Sequence, residues 1–414
     1  MGVGSRLAVL GEREFRLLFL GQTASLLGDG VVPVALSFAV LSVTGSVADV
    51  GFVLAARSAP LAAFLLVGGV VADRLPRRTV MIGADVTRFV SQGVLAGLLL
   101  SGDARLWQLL VLQSIHGTAS AFFMPAVSGV IPETVSNERL QEANALRWTA
   151  NSAGNVLGPV IAGVLVSTIG AGAALAIDSA SFAVSALFLA ALRLAALERP
   201  RQERLLRELA EGWREFRSRT WLVAANVIAA LANVLLLAPL FVLGPAVAKR
   251  YLHGAGSWAL IVAVFGIGSI AGGLAAFQLR PRRPMLAGMS LVGVFAPPLA
   301  LLALHAPAWA IAPFAFFAGA QLTFSNALWE TTLQRLVPAH LLSRLVAYDW
   351  LTALVFQPMG FAIIGLLAAH VLGLSGTLWL GAASAIVLSS IAVSLPPIRR
   401  VEAPTAAPAL SESS

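Results

Sequence analysis

Long apolar blocks separated by short polar turns fill this chain. They run at about Phe15–Leu41, Val47–Val71, Arg78–Leu100, Leu106–Ile131, Gln141–Ile169 and Gly172–Leu194. A polar stretch, Arg193–Arg219, interrupts the series. Six further blocks follow near Trp221–Ala248, Trp258–Leu279, Pro284–Leu304, Trp309–Val337, Ala347–Val371 and Thr377–Leu395. An α-helix needs about 20 apolar residues to cross a bilayer, and each block meets that length. The pattern predicts an all-α membrane protein of twelve transmembrane helices in two six-helix bundles. Residues 1–194 form the first bundle and 221–398 the second, joined by a linker over 195–220 and followed by a tail over 399–414. Within the linker, Leu206, Leu209, Trp213 and Phe216 recur at spacings of three and four among charged residues, the stripe of an amphipathic helix lying on the membrane surface. The tail, rich in Pro, Ala and Ser, is expected to be disordered.

Charges fall almost wholly in the turns. Arginines crowd into alternate turns, among them Arg74, Arg77 and Arg78, Arg139, Arg282 and Arg283, and Arg399 and Arg400. The opposite turns hold Arg105, Lys249 and Arg250. This bias places both termini in the cytoplasm, with the protein in the inner (cytoplasmic) membrane. The densest turn is Gly68–Asp85, where Asp73, Arg74, Arg77 and Arg78 sit within six positions.

Composition agrees with the pattern and removes several function classes. Of 414 residues, 58% are apolar and 12% charged, against about 25% charged in soluble domains. The net charge of +8 is topogenic, so no nucleic-acid partner is expected. The sole lysine, Lys249, stands in no Gly-Lys-Ser/Thr loop, which excludes a chain that powers itself with ATP and leaves an ion gradient as the energy source. There is no cysteine, the histidines never fall at three- or four-residue spacing, and no G-x-S-x-G occurs. No enzyme, no cofactor and no metal are expected, and no cleavable signal is apparent.

An internal echo supports the six-and-six division. Arg280–Arg283 repeats the Leu-Pro-Arg-Arg of Leu75–Arg78 half a chain later, and Arg344-Leu345 repeats Arg139-Leu140 at the same offset. Such repeats are the ground plan of secondary transporters, which place their site near the bilayer midplane between the repeats. The echo carries Gln278 where the first copy has Asp73, so the acidic member is present once.

With these residues in view, the chain resembles the major facilitator superfamily, in particular its drug- and siderophore-exporting branch of macrolide- and enterobactin-efflux-like proteins. The stretch Gly69 to Arg78, GVVADRLPRR, is similar to the family's loop 2–3 signature G-x-L-A-D-R-x-G-R-R, departing at Val71 and Pro76. The resemblance makes Gly69, Asp73, Arg74, Arg77 and Arg78 a candidate gate; the plainer reading is a topogenic turn. Helix five carries Gly154, Gly158, Pro159 and Gly163 in a run similar to the antiporter signature G-x-x-x-G-P-x-x-G-G, departing at Ala162. That signature implies export; an ordinary helix-packing face is the alternative. Family members with it often carry an arginine four residues before a glycine in helix four. Here Gly117 is that glycine and the position holds Gln113, which puts in doubt a proton relay built on that arginine.

Depth singles out a further set. At 1.5 Å per residue, Asp29, Arg57 and His116 lie about 20–22 Å from the cytoplasmic ends of helices one, two and four. A charge in the hydrocarbon region costs about 2.5–3.5 kcal/mol or more, so such groups persist by pairing or for function. Asp29 is the candidate proton-coupling carboxylate with Arg57 as its partner, and an imidazole such as His116 titrates near neutrality. A static ion pair is the alternative for Asp29 and Arg57, and a histidine simply hydrogen-bonded between helices is the alternative for His116. Asp178 is comparably deep, but the family fold, which keeps helix six outside the cavity-lining set, implies that it packs against a neighbouring helix; Asp85 with Arg88 is expected to support the loop below. The family fold implies a cavity lined by helices one, four, seven and ten, which nominates Gln113, Phe122, Phe123, Asn233, Gln321 and Asn326. The resulting expectation is a monomeric, proton-coupled exporter of a small, partly hydrophobic molecule working by alternating access. An importer on the same fold and a non-transporting membrane sensor or scaffold are the alternatives.

Overall fold

In the computed structural model, residues 8–136, 139–194, 213–279, 281–337 and 339–402 are described. Leu206, Leu209 and nearly all of the tail lie outside them. The described residues form twelve long helices and no strand. The first six are α1 (Arg13–Val43), α2 (Val47–Arg74), α3 (Arg77–Ser101), α4 (Leu106–Thr134), α5 (Leu140–Thr168) and α6 (Gly170–Ala190). The second six are α7 (Thr220–Tyr251), α8 (Ala255–Gln278), α9 (Pro284–Ala303), α10 (Ala308–Leu336), α11 (Ala339–His370) and α12 (Gly373–Ser394). Ten are long and apolar enough to cross a membrane. The other two are α3, which buries Asp85, Arg88 and Gln92, and α11, whose apolar part is Leu354–His370.

Inside a bilayer every backbone polar group needs an internal partner, which leaves helices as the spanning elements here. Serine and threonine side chains join the scheme by bonding one turn back, as Ser37 Oγ does to the Pro33 carbonyl at 2.7 Å. The helix ends follow local chemistry. Ser46 accepts the Asp49 amide to start α2, and Gly102, at φ 82°, closes α3 in a left-handed conformation that suits glycine. In α7 a π-helical turn over Asn233–Leu237 interrupts the α-helix, and in α9 a 3₁₀ segment covers Leu291–Phe295.

Helix pairing repeats between the halves. α2 packs on α4 as α8 packs on α10, and α3 on α6 as α9 on α12. Glycines permit the closest approaches at matching places. A Cβ added to Gly68 of α2 or Gly117 of α4 would stand 2.2 or 1.9 Å from a carbonyl across the α2–α4 contact; one on Gly272 of α8 or Gly319 of α10 would stand 2.0 or 1.9 Å from one across α8–α10. The sequence echo thus corresponds to a structural one.

The bundles meet through α2 with α11 and α5 with α8. These contacts lie toward the ends remote from the arginine-rich turn: Gly51 and Ala48 of α2 against Phe361 and Gly365 of α11, and Gly163 of α5 against Ala259 of α8. At the same end Lys249 Nζ donates to the Leu41 carbonyl at 2.7 Å, tying α7 to α1. One apolar core there draws on both bundles. Near the arginine-rich turn the core divides into one cluster within the first bundle and two within the second. Among the described residues, the bundles are therefore joined at one end and separately packed at the other. Phe216, stacked on Trp213, sits in a cluster of the second bundle with Leu222 and Leu333, so the end of the linker docks there.

Because the chain has no cysteine, this contact can be read directly. A Cβ on Gly365 would stand 3.1 Å from the Ala48 Cα. The pair Ala48→Cys with Gly365→Cys is expected to form a disulfide under mild oxidation. After proteolysis within the linker, the two halves should then stay together on a non-reducing gel, and halves that separate would show that this end is not closed.

Candidate functional site

The site grows from one point on α1. Pro33 lacks the amide that would bond to the Asp29 carbonyl one turn back, so the helix is loosened at Asp29. Glycines flank that residue. A Cβ on Gly28 would meet Ser181 Oγ at 2.4 Å and Asp178 Oδ1 at 2.6 Å; one on Gly30 would meet the Gly154 carbonyl at 2.3 Å. Hence α1 is pressed between α6 and α5, and Asp29 projects from the junction.

Arg57 of α2 reaches it, with Nη2 donating to Asp29 Oδ1 at 2.7 Å. Gly117 fixes the backbone beneath that arginine, since its missing side chain lets α4 pass against the Arg57 carbonyl. Arg57 Nη1 also donates to Gln113 Oε1 at 3.2 Å. Gln113 Nε2 donates to Gln92 Oε1 at 3.0 Å, and Gln92 Nε2 to Asp178 Oδ2 at 2.8 Å. A single hydrogen-bonded chain thus runs from α1 through α2, α4 and α3 to α6. Its direction is set by its ends, because a guanidinium only donates and a carboxylate only accepts.

A second arginine enters from α3. Arg88 bonds to Asp85, lies 3.8 Å from Asp29 Oδ2, and is held between the rings of Phe123 and Phe182 at 4.1 and 4.5 Å. His116 Nε2 stands 3.9 Å from Asp29 Oδ1, and its ring meets Phe182 edge-on. The side chains of Asp29 and Arg57 remain 30% and 22% exposed, while Asp85, Arg88, Gln92, Gln113, His116 and Asp178 are buried behind them. The arrangement gives solvent access to one acid–base pair backed by a closed polar cluster.

Of the residues expected to couple protons, Asp29, Arg57 and His116 come together, and Gln113 joins them. Where the family signature places an arginine on α4, this chain has an amide that accepts from Arg57. Depth arithmetic alone missed Arg88, Gln92 and the tie to Asp178. Asp85 and Arg88 do not support the loop; they belong to the cluster. Arg88 lies eleven residues into α3, about 16 Å along its axis, so the rule that found Asp29 applies to it equally.

The cavity set divides. Phe123 packs on Arg88, but Phe122 points about 100° away around α4. There it lines an apolar groove of about 740 Å³ with Val111, Ile115 and Thr118 between α2 and α3. Gln321 is buried, with Nε2 donating to the Gly288 carbonyl of α9 at 3.1 Å rather than facing the first bundle. Asn233 opens the π-helical turn of α7, and Asn326 is exposed on α10.

The arginine-rich turn braces its own bundle. Arg77 Nη1 donates to the Gly129 carbonyl at 2.6 Å and pairs with Glu133 at 2.9 Å, tying the start of α3 to the end of α4. Arg78 caps α6 by donating to the Leu189 and Ala190 carbonyls, where the negative end of the helix dipole favours a cation. Asp73 lies 3.6 Å from Arg77 with its side chain 53% exposed, and Arg74 is exposed beside it. Gly68, not Gly69, permits the close helix approach, since a Cβ on Gly69 meets nothing within 4 Å. In the echo Arg283 pairs with Glu402 at 3.2 Å. On α5, Gly154 and Gly158 press on α1 at Leu26 and Gly30, whereas Gly163 presses on α8 of the other bundle. Pro159 stands within the helix beside Gly158.

Among known proteins, macrolide efflux protein A of Streptococcus pyogenes is 26% identical over 265 residues, covering 63% of this chain and 65% of that protein. The chain thus matches just under two thirds of that relative's length. The enterobactin exporter of Escherichia coli O1:K1 / APEC is 28% identical over 370 residues, covering 86% of this chain and 85% of that one. Two solved structures share the fold. The nucleoside transporter NupG superposes with a TM-score of 0.73 at 13% identity over 91% of this chain and 97% of that one. A bacterial homologue of the iron transporter ferroportin, in an inward-facing state, gives 0.71 at 17% over 92% and 99%. The profile of the Major Facilitator Superfamily matches residues 18–349. Twelve helices in two pseudosymmetric bundles among the described residues, efflux proteins among the relatives and a profile match over most of the chain agree: this multi-pass membrane protein belongs to the Major Facilitator Superfamily.

Proposed function

We propose that this transporter exports a small, partly hydrophobic molecule, a drug, siderophore or secondary metabolite, in exchange for protons. The observation that carries the reading is the Asp29–Arg57 pair, bonded at 2.7 Å, partly exposed and set midway along its helices. Protonating Asp29 releases Arg57 to Gln113; removing the proton restores the pair. A substrate that favours one of these arrangements is thereby linked to a proton, and the linkage is reciprocal. The relatives named for macrolide efflux and enterobactin export support the outward direction and the solute class.

In this reading the protein lies in the inner membrane as a monomer with both termini cytoplasmic, consistent with the arginine bias. The separately packed end then faces the cytoplasm, and the conformation is the one that loads substrate. When that side closes, Asp73 latches the first bundle to a helix end of the second, and the bundles rock about the midplane.

Everted membrane vesicles test direction and driving force together. With an acid-inside gradient, a radiolabelled macrolide or enterobactin is expected to accumulate in vesicles containing the protein, and nigericin should abolish the accumulation. Gradient-driven depletion from the lumen would mean import. A flux indifferent to nigericin would remove proton coupling.

A further inference from the structure

Asp178 is the carboxylate of the cluster that has no arginine. Among the described residues, Arg57 binds Asp29 and Arg88 binds Asp85, whereas Asp178 Oδ2 accepts only the neutral amide of Gln92. Its other oxygen, Oδ1, is buried and has no hydrogen-bond partner. That oxygen faces α1 at Gly28, one residue from Asp29, in the space left by the missing Gly28 side chain. Three carboxylates against two guanidiniums leave one negative charge in excess, and an unpaired charge in such surroundings is strongly disfavoured.

We propose that Asp178 holds the proton that balances this excess, and that Asp29 and Asp178 are alternative seats of a single exchanged proton. The proposal rests on the reading of Asp29 given above. With the Asp29–Arg57 pair intact, the proton sits on Asp178 Oδ1. When Arg57 turns away from Asp29, the proton belongs on Asp29, and Asp178, now ionised, is bound more firmly by the Arg57–Gln113–Gln92 chain. While it holds its proton the cluster is neutral in both arrangements; the proton leaves to solvent from Asp29, the partly exposed carboxylate, when substrate takes its place. The groups facing Asp178 are Asp29 from α1, Arg57 from α2, and Arg88 and Gln92 from α3, with Ser181 bonded to its carbonyl on its own helix; Asp85 faces Arg88 and Ser185 instead. From α4, His116 packs edge-on against Phe182, and neither ring nitrogen has a hydrogen-bond partner. No ion pair among the described residues joins α5 to the cluster.

The charge count makes a specific statement. Asp178→Asn leaves two carboxylates and two guanidiniums, a cluster that is neutral without a proton. In proteoliposomes, macrolide transport driven by a pH gradient is expected to fall about 5- to 150-fold in this variant, as it should in Asp29→Asn. Macrolide counterflow, which needs no gradient, should stay within about threefold of wild type, and its pH profile should become flat. A merely structural role would lower both activities together and keep the profile. Gln92→Leu cuts the chain but keeps every charge, and should shift the midpoint of the profile by about one pH unit or more. It decides the matter if Asp178→Asn fails to assemble. A wild-type profile in Asp178→Asn, or in Gln92→Leu where only that variant assembles, overturns the proposal, as does loss of coupling in His116→Phe but not in Asp178→Asn. If the wild-type protein itself shows no gradient-driven transport, the reading of Asp29 fails first.

Discussion

Asp29→Asn is expected to lower proton-driven transport by about 5- to 150-fold, the usual range of a coupling free energy, while gradient-independent exchange persists. The substitution keeps the shape and one oxygen, so Arg57 retains an acceptor at the 2.7 Å contact and its bond to Gln113. What disappears is the ability to exchange a proton at the one partly exposed carboxylate of the cluster. Asp29→Ala is a harsher change. It strips Arg57 of its carboxylate and leaves it only the Gln113 oxygen; breaking a buried pair from one side costs about 3–5 kcal/mol, and this partly exposed one should cost less. Comparing transport and thermal stability in the two variants separates coupling from structure. Equal losses of stability in both would mean that the pair is a static brace.

The second large effect concerns α1 and α5. Gly158→Ala is expected to destabilise the first bundle by about 1–3 kcal/mol and to weaken proton-driven transport at the same time. An added Cβ would stand 2.4 Å from the Gly30 backbone, where no flexible side chain can yield. The helices must part, and Asp29, next to Gly30, moves with α1 away from Arg57. Gly69→Ala, in the other family signature, should stay within about 0.5 kcal/mol, because nothing lies within 4 Å of that position. Melting curves of the purified variants check both. A neutral Gly158→Ala would show that the contact is slack.

The helices were legible because a bilayer leaves the backbone little choice, and a run of about 20 apolar residues has few other uses. The pairing of Asp29 with Arg57 was legible for a related reason, since few charges lie so deep and opposite signs at one depth tend to meet. Rotation about the helix axis was not legible. Successive residues point about 100° apart, so Phe122 and Phe123 cannot share a face, and no depth rule selects between them. The same ambiguity hides that Gly68, and not the neighbouring Gly69 of the family signature, carries the close approach. Gln321 was drawn to a cavity by its polarity and instead satisfies the Gly288 carbonyl. Arg88 was within reach of the depth rule, but its nearness in sequence to an arginine-rich turn assigned it there.

The central claim is that the substrate and the proton compete through Asp29. Calorimetric titration of the purified transporter with a macrolide, repeated in buffers of different ionisation enthalpy, counts the protons exchanged on binding. Release of about one proton by the wild-type protein and none by Asp29→Asn is the expected result. Binding with no proton released by the wild type, or the same release from both proteins, would contradict it.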